Sequence, residues 1–169
     1  MDFNLTPEID ALRLKVRAFV AENILPLEVD KSNYDPYQNI RPEVLGPLRA
    51  MAKAAGLWAP QMPKERGGLG LPMVGWAAFY EEANRSIFGP LCFNCCAPDD
   101  GNMNVLNKVL KTEAQKDRWL QPVIDGSIRS LSVIERPHIG RAGHAIDQRR
   151  ALLMSSVMGT PCRRKIASN

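Results

Sequence analysis

The sequence contains few of the residue types that build metal sites. It has two histidines and four cysteines in 169 residues. Three of the thiols lie together in the segment LCFNCC, as Cys92, Cys95 and Cys96, and Cys162 is distant in sequence. A structural zinc site needs four ligands, usually supplied as two spaced pairs, and no second pair is present. We therefore predict no metal site and expect these cysteines to be mainly buried, reduced thiols.

Long apolar runs are also absent. No run approaches the roughly 18 residues that a helix needs to cross a bilayer. The N-terminal residues MDFNLTPEID are acidic, and they lack the basic region followed by an apolar region that marks a secretory signal. We predict no membrane span and a cytoplasmic location.

Positive charge is unevenly distributed. The net charge of +4 arises in residues 136–169, which carry +6, whereas residues 1–135 carry −2. A basic tail can bind nucleic acid or an anionic surface. This one has no interleaved aromatic residues and no helix-turn-helix or RNP pattern, and its two histidines, His138 and His144, are too few for a metal site. We predict no nucleic-acid partner.

Helical spacing of apolar residues dominates the first half of the chain. Thr6 followed by Pro7 predicts a helix start, and Pro26 is expected to end this helix. Pro42 opens a second helix, and Gly56 is its predicted C-terminal stop. The inward positions expected by this spacing are Ile9, Leu12, Val16, Phe19 and Val20 in the first helix, and Leu45, Leu48, Met51, Ala52 and Ala55 in the second.

The later segments continue this pattern up to residue 127. A third helix is predicted over 72–84, with Met73, Trp76, Ala77 and Tyr80 as its apolar side. Residues 86–98 read either as a buried connection or as a short helix. A capping-box pattern at residues 112–115 opens a helix that Gly126 ends, with Trp119, Leu120 and Val123 pointing inward. Residues 128–134 form the one strand candidate, and residues 141–169 show no clear period.

Acidic residues suit a helix N-terminus, so Asp99 and Asp100 predict a helix start before GNMNVLNKVL. With Asn102, they are interpreted mainly as helix-capping residues. The adjacent Glu81 and Glu82 could be read as a paired-carboxylate site. Neighbouring helical positions point about 100° apart, so a solvated face is the favoured interpretation.

Three segments together resemble one family. GLWAPQMPKERGGLGL is similar to a glycine-rich loop between helices in the acyl-CoA dehydrogenases. APDDGNMNVL resembles a subgroup acting on longer or unusual acyl chains, and TEAQKDRWLQPVIDGSIRS resembles the helix and turn before the family's flavin strand. The three span about residues 5–132, in the family's order and at its separations. A phosphate-binding role for Gly67, Gly68 and Gly70 would need a preceding strand, so we expect them to serve chain geometry.

The resemblance implies a mainly α fold. Residues 1–127 would form the family's N-terminal domain, an orthogonal bundle of about five or six helices. Residues 128–140 would begin the flavin-binding β-domain, and residues 141–169 would be a basic, disordered tail.

The resemblance also implies an activity. Family members are oxidoreductases that bind FAD and desaturate an acyl-CoA thioester between Cα and Cβ, in fatty acid metabolism. A carboxylate base removes the α-proton while the β-hydride passes to the flavin. The implied partners are an acyl-CoA substrate, an electron-transfer flavoprotein as electron acceptor, and further copies in a homo-oligomer. Because the family's catalytic base lies in its C-terminal helical domain, we assign no catalytic residue in this chain.

Flavin contacts are expected from Ile134, Pro137 and Gly140, which match the family's flavin motif residue by residue. Glu135 stands where the motif has a hydroxyl donor, and an ionised carboxylate cannot donate a hydrogen bond. The motif's small serine and its aspartate are replaced by Arg141 and Ala142. We therefore hypothesise that the reading frame changes near residues 131–137 and leaves a truncated enzyme. Translation of the other two frames past codon 130 tests this. The alternative function is a non-catalytic helical fragment that associates with homologous subunits.

Overall fold

The fold is mainly helical, as predicted. The computed structural model describes residues 4–37 and 39–130, and five of its α-helices have seven residues or more. In chain order the elements are α1 (Pro7–Phe19), a π-helical turn (Val20–Ile24), α2 (Leu25–Val29), a 3-10 turn (Lys31–Asn33), α3 (Pro42–Ala54), a second 3-10 turn (Lys64–Arg66), α4 (Met73–Ala83), α5 (Gly89–Cys92), α6 (Asp99–Val109), α7 (Glu113–Trp119) and α8 (Gln121–Ile124).

The strand prediction falls mostly beyond the described residues. Of residues 128–134, only 128–130 are described, and these three are not in a strand. In the described part of the chain, β pairing is limited to an isolated antiparallel bridge between Tyr34 and Ile40. The predicted tail at 141–169 lies outside the described residues. None of the described helices is long and apolar enough to cross a membrane.

The first helix begins as predicted but does not end at Pro26. The Thr6 hydroxyl caps α1 by accepting from the Ile9 amide at 3.4 Å. Beyond α1 the chain continues through a π-helical turn, in which Leu25 N–H donates to Val20 O, into α2. Pro26 occupies the first turn of α2, where a missing backbone N–H costs little. The prediction that Pro26 ends the helix is therefore wrong.

The buried face of α4 differs from the predicted one. Met73 is 70% exposed, and Ala77 is exposed as well. The buried positions are Gly75, Ala78, Phe79, Glu82 and Ala83. The helix is apolar on most sides, so spacing alone could not select the face. Its packing on α1 and the edge-on contact between the Phe79 and Phe93 rings, with centroids 5.2 Å apart, select it instead.

Helix α3 ends as predicted. Gly56 follows it in the left-handed region at φ +67°, where glycine is favoured. Leu48 and Ala52 are buried as expected, whereas Met51 is 44% exposed. Residues 86–98 contain the short helix α5, one of the two alternatives that the sequence left open. An added Cβ at Gly89 would lie 1.9 Å from Ala83 O, so the α4–α5 corner requires a glycine.

The capping box at α7 is confirmed. The Thr112 hydroxyl accepts from the Gln115 amide at 3.2 Å, and the Gln115 side chain accepts from the Thr112 amide at 3.2 Å. Leu120 and Val123 are buried as predicted, but Trp119 is 42% exposed. The helix divides at Leu120 into α7 and α8, with a proline in the first turn of α8. The prediction that Trp119 points inward assumed one continuous helix with a single apolar side. Because the helix divides here, that assumption does not hold.

Two apolar clusters form the core. The first is built by α1, α3, α4 and α5, and the second gathers around Trp58 from the loop after α3, together with α6 and α8. Trp58 Nε1 donates to Ile124 O at 2.7 Å. The loop over residues 56–71 therefore ties the two halves of the bundle together.

Candidate functional site

A buried polar cluster lies where the chain leaves the helices. The Asp99 carboxylate, on the first residue of α6, has its Oδ1 2.6 Å from the Ser130 amide and 2.7 Å from the Ser130 hydroxyl, and both donate to it. Asn102, one turn further along α6, donates to Ser130 Oγ at 2.8 Å. The side chain of Asp99 is 1% exposed and Ser130 is 7% exposed. Three polar side chains thus meet at one point of the fold.

Arg129 closes the outer side of this cluster. Its Nε lies 2.5 Å from Asp99 Oδ2, an ion pair by distance that lacks the alignment of a hydrogen bond. Its Nη2 lies 3.6 Å from the Cys96 sulfur. With its other oxygen bound to Ser130, the buried Asp99 carboxylate is held on both sides. A carboxylate buried in this way must be paired or hydrogen-bonded to be tolerated.

The loop before α6 is held in place by hydrogen bonds of Asn94. Asn94 is buried in the left-handed region at φ 57°. Its side-chain amide donates to Val123 O and to Ile124 O, both at 3.0 Å. Gln61 donates to the Asn94 carbonyl at 3.1 Å. The segment between α5 and α6 is therefore bound to α8 through Asn94, while Ser130 is bound separately by Asp99 and Asn102 of α6.

A second guanidinium borders the same loop. Arg49 of α3 donates from Nε to Leu91 O at 3.1 Å and lies over the Trp58 ring. Burial, and next the positive charge of Arg129, lower the pKa of Arg49. Among the described residues no acidic side chain forms an ion pair with it. The Asp99 cluster is thus bordered by positive charge.

Asp100 lies beside the cluster and faces other groups. Burial raises its pKa, against the opposing effect of the nearby Tyr80 hydroxyl and the Asn104 amide. Asn104 donates to Asp100 Oδ1 at 3.0 Å. Burial also raises the pKa of the Tyr80 hydroxyl, and the nearby Cys95 and Asp100 add to that shift. The prediction that Asp99 and Asp100 begin a helix is confirmed. The capping interpretation is wrong for Asp99: the N-cap position is Pro98, which makes no side-chain capping hydrogen bond, and the Asp99 carboxylate instead accepts from a residue 31 positions away.

The three described cysteines are wholly or partly buried in the interior of the bundle. Cys92 and Cys95 are buried, Cys96 is half-buried, and all three are free. Burial raises the pKa of the Cys92 thiol to about 12, with Arg49 opposing the shift. Burial also raises the pKa values of Cys95 and Cys96. Within residues 4–37 and 39–130, no group of three or more His, Cys, Asp or Glu side chains is placed to hold a metal ion.

Glu82 is not on a solvated face. Its side chain is 1% exposed and accepts from Arg13 Nη1 at 3.1 Å and from Arg17 at 3.0 and 2.6 Å. These hydrogen bonds, chiefly those from Arg17, lower the pKa of the carboxyl against the effect of burial. Glu81 remains exposed, as expected. The pair therefore consists of one surface residue and one structural ion-pair partner, and the paired-carboxylate reading fails.

The glycine-rich loop over residues 67–70 serves chain geometry. A Cβ at Gly68 would lie 2.2 Å from Met62 O, and Gly67 and Gly70 have φ values of +90° and +59°. The amides of these three glycines donate to the carbonyls of Lys64, Pro63 and Met62 respectively. They are therefore not available to the pyrophosphate of FAD, and in this loop the described residues do not fit that group.

A groove of about 370 Å³ opens beside this loop, between Trp58, Gly67, Gly68 and Asp125. Lys53 reaches across it, with Nζ 4.3 Å from the Trp58 ring centroid and 2.8 Å from the Asp125 carbonyl that it donates to. The ammonium group of Lys53 thus spans the groove. We assign no ligand to it.

The predicted flavin contacts Ile134, Pro137 and Gly140 lie outside the described residues. The structure instead brings together Asp99, Asn102 and Ser130, a grouping that the sequence did not predict. The aspartate and asparagine were noted only as candidate helix caps. The residues near Asp99 and Asn102 in sequence give no sign that the partner of these side chains is Ser130, which follows α8.

The comparisons with known proteins identify the family of this chain. The family model described as acyl-CoA dehydrogenase, N-terminal domain, matches residues 6–127. Acyl-CoA dehydrogenase family member 11 from Homo sapiens is 36% identical over 132 residues, which is 75% of this chain and 16% of that protein. Acyl-CoA dehydrogenase family member 10 from Mus musculus is 32% identical over 142 residues, or 80% of this chain and 13% of that protein.

A solved structure is also similar. A Mycobacterium abscessus protein described as an acyl-CoA dehydrogenase superposes with a TM-score of 0.63 at 34% identity, covering 75% of this chain and 34% of its own. This chain therefore spans about a third of that structure and less than a fifth of the two relatives above. The match to the family model covers every helix from α1 to α8, and on this evidence the chain belongs to the acyl-CoA dehydrogenase family.

Proposed function

We propose that this chain is the N-terminal helical domain of an FAD-dependent acyl-CoA dehydrogenase, which desaturates an acyl-CoA thioester between Cα and Cβ. The observation that carries the proposal is the unbroken family match over residues 6–127. The firmly held exit at Ser130 supports it, because the residues predicted to contact flavin follow directly in sequence. When bound, the flavin would supply the hydride acceptor.

The described residues have a supporting role in this proposal. The glycine-rich loop uses its own amides internally, so we route no chemical step through it. We propose that the helices of residues 4–37 and 39–130 help to wall the acyl pocket, with the α5–α6 loop bound to α8 through Asn94. We propose an acyl-CoA substrate, an electron-transfer flavoprotein as electron acceptor, and a homo-oligomeric assembly, together with a cytoplasmic location. The catalytic base would come from a C-terminal helical domain, as in the family.

A test of this function uses the purified 169-residue chain. Its visible spectrum is recorded after incubation with FAD and removal of free cofactor, and again after an acyl-CoA is added. Retained flavin that bleaches supports dehydrogenase activity of the chain itself. Retained flavin that does not bleach supports a flavin-binding domain without its base. A colourless protein overturns flavin binding by this chain.

A second candidate function rests on the exposed apolar side chains. Val29 is 82% exposed, Met73 is 70% exposed and Ile87 is 60% exposed. Exposed apolar surface is suited to association with other subunits, so a non-catalytic interaction fragment is the alternative. Light scattering during size-exclusion chromatography separates the two candidates. A colourless protein that forms oligomers, alone or with homologous subunits, favours this alternative.

A further inference from the structure

Asp99 binds both polar hydrogens of Ser130. One carboxylate oxygen accepts from the Ser130 amide at 2.6 Å and from its hydroxyl at 2.7 Å. An amide contact alone fixes the position of the backbone, and a hydroxyl contact alone fixes a side-chain rotamer. Together they fix the position and the orientation of residue 130.

Asn102 restrains the same residue from a third direction. Its side-chain amide donates to Ser130 Oγ at 2.8 Å, while the hydroxyl hydrogen points to Asp99. Since a hydroxyl offers one donor and two acceptor lone pairs, Ser130 uses its donor on the carboxylate and an acceptor position on the amide. Both partners lie near the N-terminus of α6, so the position of residue 130 is fixed relative to this one helix.

The chain before Ser130 is fixed independently. Ser127 N–H and Ile128 N–H both donate to Pro122 O, at 3.1 and 3.3 Å, and Gly126 turns the backbone at φ +72°. The segment leaving α8 is thus held at its start by α8 and at residue 130 by α6. Because residues 127–128 and residue 130 are both fixed, the direction of the backbone between them is fixed as well.

We propose that Asp99 is a positioning residue, which with Asn102 locks Ser130 and so sets the direction in which the chain leaves the helical domain. The proposal rests on the proposed function for its purpose, since Ile134, Pro137 and Gly140 are the expected flavin contacts and follow within ten residues. It assigns Asp99 no contact with substrate or cofactor. Its role is exercised through Ser130.

Amide hydrogen exchange tests the lock in the full 169-residue chain. Asp99→Ala removes the acceptor of the Ser130 amide, and we expect that amide to exchange about 10- to 100-fold faster, because hydrogen bonds to charged groups are among the strongest in proteins. Amides in α1 and α4 should keep their wild-type rates. Asp117→Ala is the matched control, because Asp117 is also paired with an arginine but at the surface, 66% exposed. It should leave Ser130 unchanged.

Substitutions at the serine separate positioning from general stability. Ser130→Ala removes the hydroxyl that joins Asp99 to Asn102, and exchange over residues 128–130 should rise. Ser130→Thr restores a hydroxyl and should return exchange towards the wild-type rate. If Asp99→Ala does not fold, Asp99→Asn replaces it. Its uncharged oxygen is a weaker acceptor than the carboxylate, so the Ser130 amide should still exchange faster than in the wild type, by a smaller factor than in the alanine variant.

Two results would overturn the proposal. One is a Ser130 amide that exchanges at the unprotected rate in the wild-type chain. The other is an Asp99 variant that speeds exchange equally in α1, α4 and residues 128–130, which would show only global destabilisation. Exchange is measured without flavin or acyl-CoA, so its outcome is independent of the flavin test of the proposed function.

Discussion

Arg17 binds the buried carboxylate of Glu82 with two parallel hydrogen bonds. Its Nε lies 3.0 Å from one carboxylate oxygen and its Nη2 lies 2.6 Å from the other. This two-pronged geometry is the strongest form of an arginine–carboxylate pair. It joins α1 to α4 across 65 positions of sequence. Arg13 adds a further bond from one turn earlier in α1.

The first prediction concerns this pair. Glu82→Gln should lower the free energy of unfolding by about 2 to 3 kcal/mol. A fully buried pair costs about 3–5 kcal/mol to break, and the partial exposure of both arginines reduces this value. Urea unfolding followed by circular dichroism measures the change. Glu81→Gln is the matched control on the adjacent exposed position, and an equal loss in both variants would contradict the assignment.

The second prediction is the pH dependence of the same contribution. The pKa of Glu82 in the folded state lies below its ordinary value of 4.5. The stabilisation is therefore complete above the unfolded-state pKa, and it is lost as the pH falls through the folded-state pKa. We expect the stability difference between wild type and Glu82→Gln to be constant near neutral pH and to shrink in acid. A difference that grows in acid would show the opposite sign of the pKa shift.

The third prediction tests the glycine-rich loop. Gly68→Ala would place a Cβ 2.2 Å from the Met62 carbonyl oxygen, a backbone atom that cannot move away cheaply. We expect a loss of about 1 to 3 kcal/mol or more, the range for overpacked sites. Gly101→Ala is the control, since it adds a methyl group with no atom within 4 Å inside α6. That change should stabilise by about 0.5 to 1 kcal/mol, and thermal unfolding measures both.

The fourth prediction concerns the thiols. Under native conditions near neutral pH, Cys96 should react with an alkylating reagent faster than Cys92 or Cys95, because it is half-buried while they are buried. Burial also raises the pKa of Cys92 to about 12, which keeps the reactive thiolate scarce. Peptide mass spectrometry identifies each site. All three should react alike in denaturant, and native labelling of Cys92 first would contradict the burial.

The fifth prediction tests the capping box of α7. Thr112→Ala removes the hydroxyl that accepts from the Gln115 amide, and it should cost about 1 kcal/mol, the usual value of an N-cap residue. Thr112→Ser keeps the oxygen and should cost little. Chemical unfolding of the two variants compares them directly, and equal losses would show that the methyl group rather than the hydroxyl matters.

Features that depend on neighbours in sequence were predictable. The N-caps at Thr6 and Thr112, the stop at Gly56 and the helix start at Asp99 depend on residues within one helical turn, and all four are confirmed. The helical class and the family follow from repeated apolar spacing and from three segments read in order. Each of these signals depends only on residues close together in the sequence or on the order of segments along it. The sequence alone is therefore sufficient to predict them.

Features that depend on a partner distant in sequence were not predictable. The buried face of α4 is selected by its packing on α1 and on Phe93. The role of Glu82 depends on two arginines some 65 to 69 positions earlier. In each case the local pattern allowed more than one outcome, and a tertiary contact selected one.

The sequence by itself determined that this chain is helical, where most of its helices begin, and to which family it belongs. The tertiary structure decided which acidic residues are buried and what they hold. Glu82 ties two helices and Asp99 locks Ser130, because a carboxylate leaves water only where folding brings donors to surround it. No local pattern contains that information, since the donors are supplied by other parts of the fold.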